Sequence, residues 1–202
     1  MKAVPIVIVA VLAVIVVIVL MQCRGQARRE ARLEQQQRQD YIEKKRSYLA
    51  GLPAVAVADW RKKTPPEMLQ ILPNERKLAD LSRDWPTEYY DLPNWQGWTT
   101  VGLVFTNYTL SRVSFQGAYP MSQEEAEWLA QQKLGVALPK EKYAVIEGDR
   151  GYNGLEGNVR AVMFPNESIA RERGGLPVLL QKLDAKTEAP FSTRTLVVTF
   201  KP

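Results

Sequence analysis

The chain has 202 residues, of which 46% are hydrophobic, and a formal net charge of +5. It contains one cysteine and no histidine, which excludes an intrachain disulfide, a thiolate zinc cluster within one chain, His-ligated metals and Ser-His-Asp or Cys-His catalysis. All of the excess charge lies in residues 1–50, and the remainder is neutral overall. Because a neutral domain lacks the positive surface that phosphate backbones require, we expect no nucleic-acid partner.

The first predicted element is an apolar segment, residues 3–21, which is free of charged side chains. At a rise of about 1.5 Å per residue, a helix of this length matches the roughly 30 Å hydrocarbon core of a bilayer. Pro5 falls in the first turn, where its missing N–H costs little. We therefore expect residues 1–22 to form an uncleaved transmembrane anchor of a single-pass protein, in a bacterial inner membrane.

Two alternatives for this segment stay open. A cleavable signal peptide would need a site flanked by small residues, whereas Gln22, Cys23 and Arg24 follow the apolar segment. The second alternative is a lipoprotein signal, because Leu20-Met21-Gln22-Cys23 is similar to a bacterial lipobox. That pattern requires a small residue in place of Gln22. Cys23 is in either case a candidate for lipidation, since juxtamembrane cysteines are common acylation sites, and an unmodified thiol is the alternative.

Residues 23–52 begin with a basic cluster that consists of Arg24, Arg28, Arg29 and Arg32. Cationic side chains beside a bilayer attract anionic lipid headgroups by about 1 kcal/mol each. The positive-inside rule places the chain that follows this cluster in the cytoplasm in preference to the periplasm. A start of Met1 and Lys2 before the apolar segment is also compatible with export of the domain.

The rest of this segment is predicted to be a polar helix, because it lacks Gly and Pro between Gln26 and Ala50 and is rich in Gln, Arg, Glu and Ala. It could continue the anchor as one long helix, with Gly25 as a joint. A coiled coil is one interpretation, but Gln35 and Arg38 interrupt the heptad. A solvated stalk is the interpretation that the pattern favours.

Residues 53–202 are predicted to form one globular α+β domain with a mostly antiparallel sheet and packed helices. We expect helices at residues 65–72, 74–85 and, after the capping box that Ser122 begins, 123–134. Strands are expected at residues 99–106, 109–116, 142–147, 158–164 and 192–200, with a tight turn at Asn107-Tyr108. Residues 85–98 contain too much Pro and Gly for a regular element to be predicted, residues 166–173 could form a helical turn, and residues 179–183 are ambiguous.

Five aromatic residues cluster between positions 85 and 98, namely Trp85, Tyr89, Tyr90, Trp95 and Trp98. Rings on an irregular loop could stack on sugars or anchor a protein interface. The alternative is that they cap the hydrophobic core. We expect the chain to be a non-enzymatic scaffold or subunit of a membrane complex that binds a protein partner through its domain. An extracytoplasmic domain that recognises glycan or cell-wall material through the aromatic loop is the other hypothesis.

Chemistry could also reside in the Gly-rich stretch at residues 147–158. Its glycines recur every three residues but match neither a dinucleotide-binding nor a phosphate-binding loop. Asp149, Asn153, Glu156 and Asn158 offer oxygen atoms without the spacing of an EF-hand, so we expect a flexible hairpin loop, no metal and no cofactor. An enzyme would require Glu147, Asp149 and Glu156 to converge in a cleft, and no such activity is expected.

Overall fold

The computed structural model describes residues 4–72, 76–78, 87–140, 143–146, 148–167 and 191–202. In the first helix it describes the side chains of Gln26 and of residues from Arg28 onward. The chain divides into two compact units, residues 1–48 and residues 49–202.

Helix α1 runs without a break from Val4 to Gly51, through the joint predicted at Gly25. Most of its described side chains are exposed, as a helix dominated by Gln, Arg and Glu requires. Among the described side chains, no helical stretch is long and apolar enough to cross a membrane. The side chains of residues 3–21 lie outside that description, so the transmembrane anchor stays a prediction, as does the coiled coil.

The last turn of α1 belongs to the second unit. Leu49 and Leu52 are buried, and the Lys133 ammonium donates a hydrogen bond to the Ala50 carbonyl at 2.7 Å. Just beyond, the Val55 N–H donates to the Lys133 carbonyl at 2.6 Å. Free carbonyls at a helix C-terminus need such donors, and the Lys133 ammonium supplies one to the last turn of α1 within the second unit.

A short 3-10 turn, Val57–Trp60, leads into helix α2, Pro65–Ile71. The predicted start of α2 is confirmed, because both the N–H and the hydroxyl of Thr64 donate to Glu67 Oε2, at 2.7 and 2.8 Å. Arg61, between these elements, donates to the carbonyls of Lys201 and Pro202 at 3.1 and 2.8 Å. These bonds hold the last two residues of the sequence against the connection between the 3-10 turn and α2.

The described strands form one antiparallel sheet in the order β1-β2-β3-β4-β8-β7-β6-β5. Two meanders, β1 to β4 and β5 to β8, therefore meet where β4 pairs with β8. The strand bounds are Arg76–Leu78 for β1, Thr87–Pro93 for β2, Thr100–Thr106 for β3, Thr109–Met121 for β4, Ala144–Ile146 for β5, Asp149–Asn153 for β6, Val159–Phe164 for β7 and Thr193–Phe200 for β8. Together with the helices, this sheet makes the fold α+β, as predicted.

The core lies against one face of the sheet. Alternate residues of β3 and β8 are buried there, which is the period of two that a one-sided sheet requires. Each such fully buried side chain contributes about 1.5–3 kcal/mol. Helix α3, Gln123–Gln132, contacts β4, β7 and β8 and buries Ala126, Leu129 and Ala130.

Two local predictions are confirmed in detail. The Ser122 hydroxyl accepts from the Glu125 N–H at 3.3 Å, and Glu125 Oε2 accepts from the Ser122 N–H at 2.8 Å, so the capping box starts α3. The β3–β4 turn has positive φ at both central residues, 52° at Asn107 and 61° at Tyr108. This conformation suits the right-handed twist of a hairpin.

Three predictions about regular structure differ from the observed fold. Residues 85–98 are not wholly irregular, because Tyr90 and Leu92 alternate inward and place Thr87–Pro93 in the sheet as β2. Part of the Gly-rich stretch is strand β6 rather than a loop, and residues 76–78 form β1 rather than a helix. The other residues of the helix predicted at 74–85 lie outside the described ranges, as do residues 168–173 and 179–183.

Candidate functional site

A cluster of polar side chains joins α3 to β6. Tyr152, on β6, donates its hydroxyl hydrogen to Glu127 Oε1 at 2.9 Å, and the Gln123 side-chain amide donates to the same oxygen at 2.7 Å. Burial of the ring, followed by the hydrogen bond to Glu127, raises the pKa of Tyr152 to about 12. The two neutral donors stabilise the Glu127 carboxylate and fix α3 over this end of the sheet.

Arg150 extends this cluster toward solvent. It lies two residues before Tyr152 on β6 and so projects from the same face of the sheet. One Nη of its guanidinium donates to Gln123 Oε1, and the group lies 4.8 Å from the ring centre of Phe191 and 6.0 Å from that of Tyr143. Within the described ranges, Arg150 has no ion-pair partner. The cation is therefore positioned by a neutral amide and two aromatic rings.

Strand β5 forms the outer side of this cluster. It is the last strand of the described sheet and pairs on one side with β6, where Val145 is opposite Arg150. Val145 and Tyr143 are 60% and 52% exposed, and together they form a small apolar area at the surface. Val145 shares the face of Arg150 because the two residues are directly opposite, and the Tyr143 ring lies on the same side, with its centre 6.0 Å from the Arg150 guanidinium. We call Tyr143, Val145, Arg150 and Phe191 the β5 edge.

The five aromatic residues predicted as a binding loop do not form one exposed surface. Trp98 is completely buried with its ring centre 5.1 Å from that of Phe115, and Tyr90 is buried 5.3 Å from Phe105. Trp95 is half-buried, as is Tyr89, and Trp85 lies outside the described residues. Tyr90 and Trp98 are thus part of the core and are not available to stack on a ligand.

The turn before Trp98 explains its burial. Asn94, Gln96 and Gly97 all have positive φ, which reverses the chain within a few residues. The reversal is held by hydrogen bonds from the Asn94 N–H to the Thr99 carbonyl and from the Trp98 N–H to the Trp95 carbonyl, each of 2.9 Å. The Trp98 side chain consequently returns beneath the sheet instead of extending from the loop.

The predicted basic cluster lies on α1. Arg28, Arg29 and Arg32 are exposed, and Arg28 and Arg32 share a helix face because they are four residues apart. The side chains of Arg24 and Cys23 lie outside the described residues. Contact of this cluster with anionic lipid, and lipidation of Cys23, stay predictions.

Two of the side-chain oxygen donors weighed for catalysis or for metal binding, those of Asp149 and Asn158, have separate partners. Asp149 Oδ1 accepts from the Asn166 N–H at 2.7 Å, whereas Asn158 Oδ1 accepts from Arg61 Nη1 at 2.7 Å. Glu156 is exposed, and Glu147 lies outside the described residues. In the part of the chain that the structure describes, no three acidic, histidine or cysteine side chains are placed to hold a metal ion together.

Comparison with protein-family models, with curated proteins and with solved structures found no match for this chain. The site therefore has to be interpreted from its own chemistry. Sequence reasoning did not single out Tyr143 or Arg150. The available signal was a spacing of two residues, which places side chains on one face of a strand. Tyr143 and Val145 have this spacing before Gly148, and Arg150 and Tyr152 have it after Gly148.

Proposed function

We propose that this chain is a non-enzymatic, single-pass membrane protein that holds a protein partner beside the bilayer, as a scaffold or as a subunit of a complex. The observation that carries the proposal is the β5 edge, where Val145 on the last described strand of the sheet and Tyr143 just before that strand are both exposed. Aromatic residues and arginine are the residue types that are enriched at protein interfaces, and Tyr143 and Arg150 supply one of each at the β5 edge.

The membrane part of the proposal rests on the sequence. Residues 3–21 are apolar and of bilayer length, and the basic cluster follows at once. The exposed side chains of Arg28, Arg29 and Arg32 supply the positive charge that anionic headgroups attract. Because residues 51–202 carry no net charge, the domain itself has no comparable attraction for lipid or nucleic acid.

Fractionation of cells that express the full chain tests the anchor. We expect the protein in the membrane pellet after alkaline carbonate washing and in solution only after detergent is added. A C-terminal fusion to alkaline phosphatase or to green fluorescent protein then reports the side of the membrane. Recovery of the chain in the soluble fraction, with its N-terminus beyond residue 22, would contradict the proposal.

Partner binding is tested by chemical crosslinking in intact cells, followed by detergent extraction and quantitative mass spectrometry of the tagged full chain. We expect one protein to be recovered in a constant ratio to the bait. If the amounts of the recovered proteins simply follow their concentrations in the cell, the proposal of a specific partner is refuted.

A further inference from the structure

We propose that the β5 edge binds an extended segment of the partner that adds to the sheet beside β5 and presents an acidic side chain to Arg150. This inference rests on the proposed function and specifies where, and by what chemistry, the partner is recognised. It is carried by three features of the described residues: the backbone of β5, the exposed side chains of Val145 on β5 and of Tyr143 just before it, and the charge of Arg150.

The backbone of β5 offers hydrogen bonds to an incoming strand. In the described sheet, Ala144–Ile146 pairs with β6 along one side, in the register Ala144 to Gly151 and Ile146 to Asp149. A strand pairs through both of its sides when a neighbour is present on each, so the other side of β5 can accept a further antiparallel or parallel strand. Addition of a strand to a sheet edge is a common mode of peptide recognition.

The side chains of β5 provide an apolar contact for that strand. Tyr143 and Val145 project from the same face and are more than half exposed. An apolar side chain directly opposite Val145 on an added strand would lie about 4.5–5.5 Å away between Cβ atoms, which is the distance at which cross-strand pairs stabilise a sheet. Burial of an aromatic and a β-branched side chain by the partner removes both from water.

Arg150 supplies the charge complementarity. Its described partners are the Gln123 amide and the rings of Phe191 and Tyr143, none of which carries a negative charge. The nearby carboxylate of Glu127 already accepts from Tyr152 and Gln123. A partly buried guanidinium that has no carboxylate partner among the residues the structure describes gains a charge-assisted hydrogen bond when a carboxylate approaches.

The geometry of a sheet allows this pair to form. Neighbouring strands are about 4.8 Å apart, so a strand added beside β5 lies roughly 10 Å from β6. An arginine and a glutamate side chain that extend toward each other over Val145 can span this separation. The stacked rings limit the rotamers of Arg150, which lowers the entropy cost of forming the pair.

A synthetic peptide serves as the probe. We suggest a short fluorescein-labelled peptide of alternating valine and threonine with one central glutamate, and a second peptide in which glutamine replaces that glutamate. Binding to the full chain in detergent micelles is measured by fluorescence anisotropy. We expect the glutamate peptide to bind about tenfold more tightly, and Arg150→Gln to abolish that difference, because a hydrogen bond between charged groups is about twice as strong as a neutral one.

Matched surface variants test the site itself. Val145→Lys places a charge on the edge strand and should prevent binding of both peptides, whereas Tyr108→Lys should leave binding unchanged, since Tyr108 is similarly exposed at 55% but lies in the β3–β4 turn. Far-UV circular dichroism checks that each variant is folded. Equal binding of the two peptides to the unaltered chain, no binding of either, or no effect of Val145→Lys would overturn the inference.

Recovery of the natural partner in the crosslinking experiment separates this inference from the proposed function. If Val145→Lys abolishes recovery and Tyr108→Lys does not, both stand. If the partner is recovered equally with both variants, the chain binds its partner elsewhere, so the proposed function stands and the β5 inference fails. If the unaltered chain recovers no specific partner, the proposed function fails as well.

Discussion

Replacement of Tyr152 by phenylalanine removes one hydroxyl from the cluster under α3 and leaves the ring in place. Glu127 then loses the hydrogen bond of 2.9 Å from Tyr152 but keeps the one of 2.7 Å from Gln123. Because the acceptor that remains is a carboxylate beside a buried ring, the lost bond costs about 1–3 kcal/mol. We expect the free energy of unfolding to fall by about 1–2 kcal/mol at neutral pH, since one donor persists.

The same substitution changes the pH dependence of stability. Burial, and secondarily the bond to Glu127, raise the pKa of Tyr152 from 10.0 to about 12. A group whose pKa is higher in the folded chain stabilises the fold fully below the unfolded value and loses that contribution as the pH rises through the folded value. Between about pH 10 and pH 12 the unaltered chain should therefore lose more stability than Tyr152→Phe. The difference between their free energies of unfolding should become smaller over that range.

Urea unfolding followed by tryptophan fluorescence measures both effects on the full chain in detergent micelles. All five tryptophans lie at or beyond position 60, so the signal reports the domain. Tyr108→Phe is the control, because its hydroxyl is in an exposed turn and its loss should change stability by less than about 0.5 kcal/mol. Equal urea midpoints for Tyr152→Phe and Tyr108→Phe would show that Tyr152 does not donate to a carboxylate. The same conclusion would follow if the difference in stability between the unaltered chain and Tyr152→Phe stayed constant up to pH 12.

Three further substitutions are assayed by the same urea midpoints. Gly151→Ala should lower the free energy of unfolding by about 1–3 kcal/mol, because the new Cβ would lie 2.9 Å from Met163 Cα. The control, Gly51→Ala, meets no atom within 4 Å and should be neutral or stabilising. Equal effects of the two substitutions would contradict the strand packing. Arg61→Ala removes the donors that hold the final residues and should cost about 1 kcal/mol, and an unchanged midpoint would show that these bonds are not formed in solution. Ser122→Ala removes the cap of α3 and should cost about 1 kcal/mol, with Ser122→Gly intermediate; no loss would argue against the cap.

The elements that sequence predicted well are those with a local chemical signal. The start of α3 follows from a hydroxyl and a carboxylate three residues apart, at Ser122 and Glu125, and both bonds are present. The β3–β4 hairpin follows from two alternating strands separated by Asn107 and Tyr108. Each signal is contained within a few residues, so the rest of the fold does not need to be known.

Strands β2 and β6 were missed because their local composition opposes their structure. Pro86, Pro93 and Gly97 indicate a loop, but burial of Tyr90 and Leu92 against the core outweighs that preference. Gly151 is unfavourable in an isolated strand, yet no side chain would fit at its close approach to Met163. In both strands the tertiary contacts decide, and those contacts are not visible in a window of sequence.

The candidate site was not predictable for a related reason. Arg150 is 27 positions from Gln123, and Phe191 lies farther along the chain, just before β8. Their meeting depends on the pairing of β5 with β6 and on the place of α3 over the sheet. The aromatic loop, which composition made conspicuous, contributes Tyr90 and Trp98 to the core instead.

The final turn of α1 has a practical consequence for work with an isolated domain. A fragment that starts at residue 53 would retain every strand that the structure describes, yet it would lack Leu49 and Leu52, which are 5% and 2% exposed. The loss of two such leucines costs about 2–5 kcal/mol each, against a total stability of about 5–15 kcal/mol for a typical domain. Proteolytic trimming or recombinant expression should accordingly preserve the chain from before Leu49, since cleavage at the Gly51–Pro53 boundary would leave an opening in the interior.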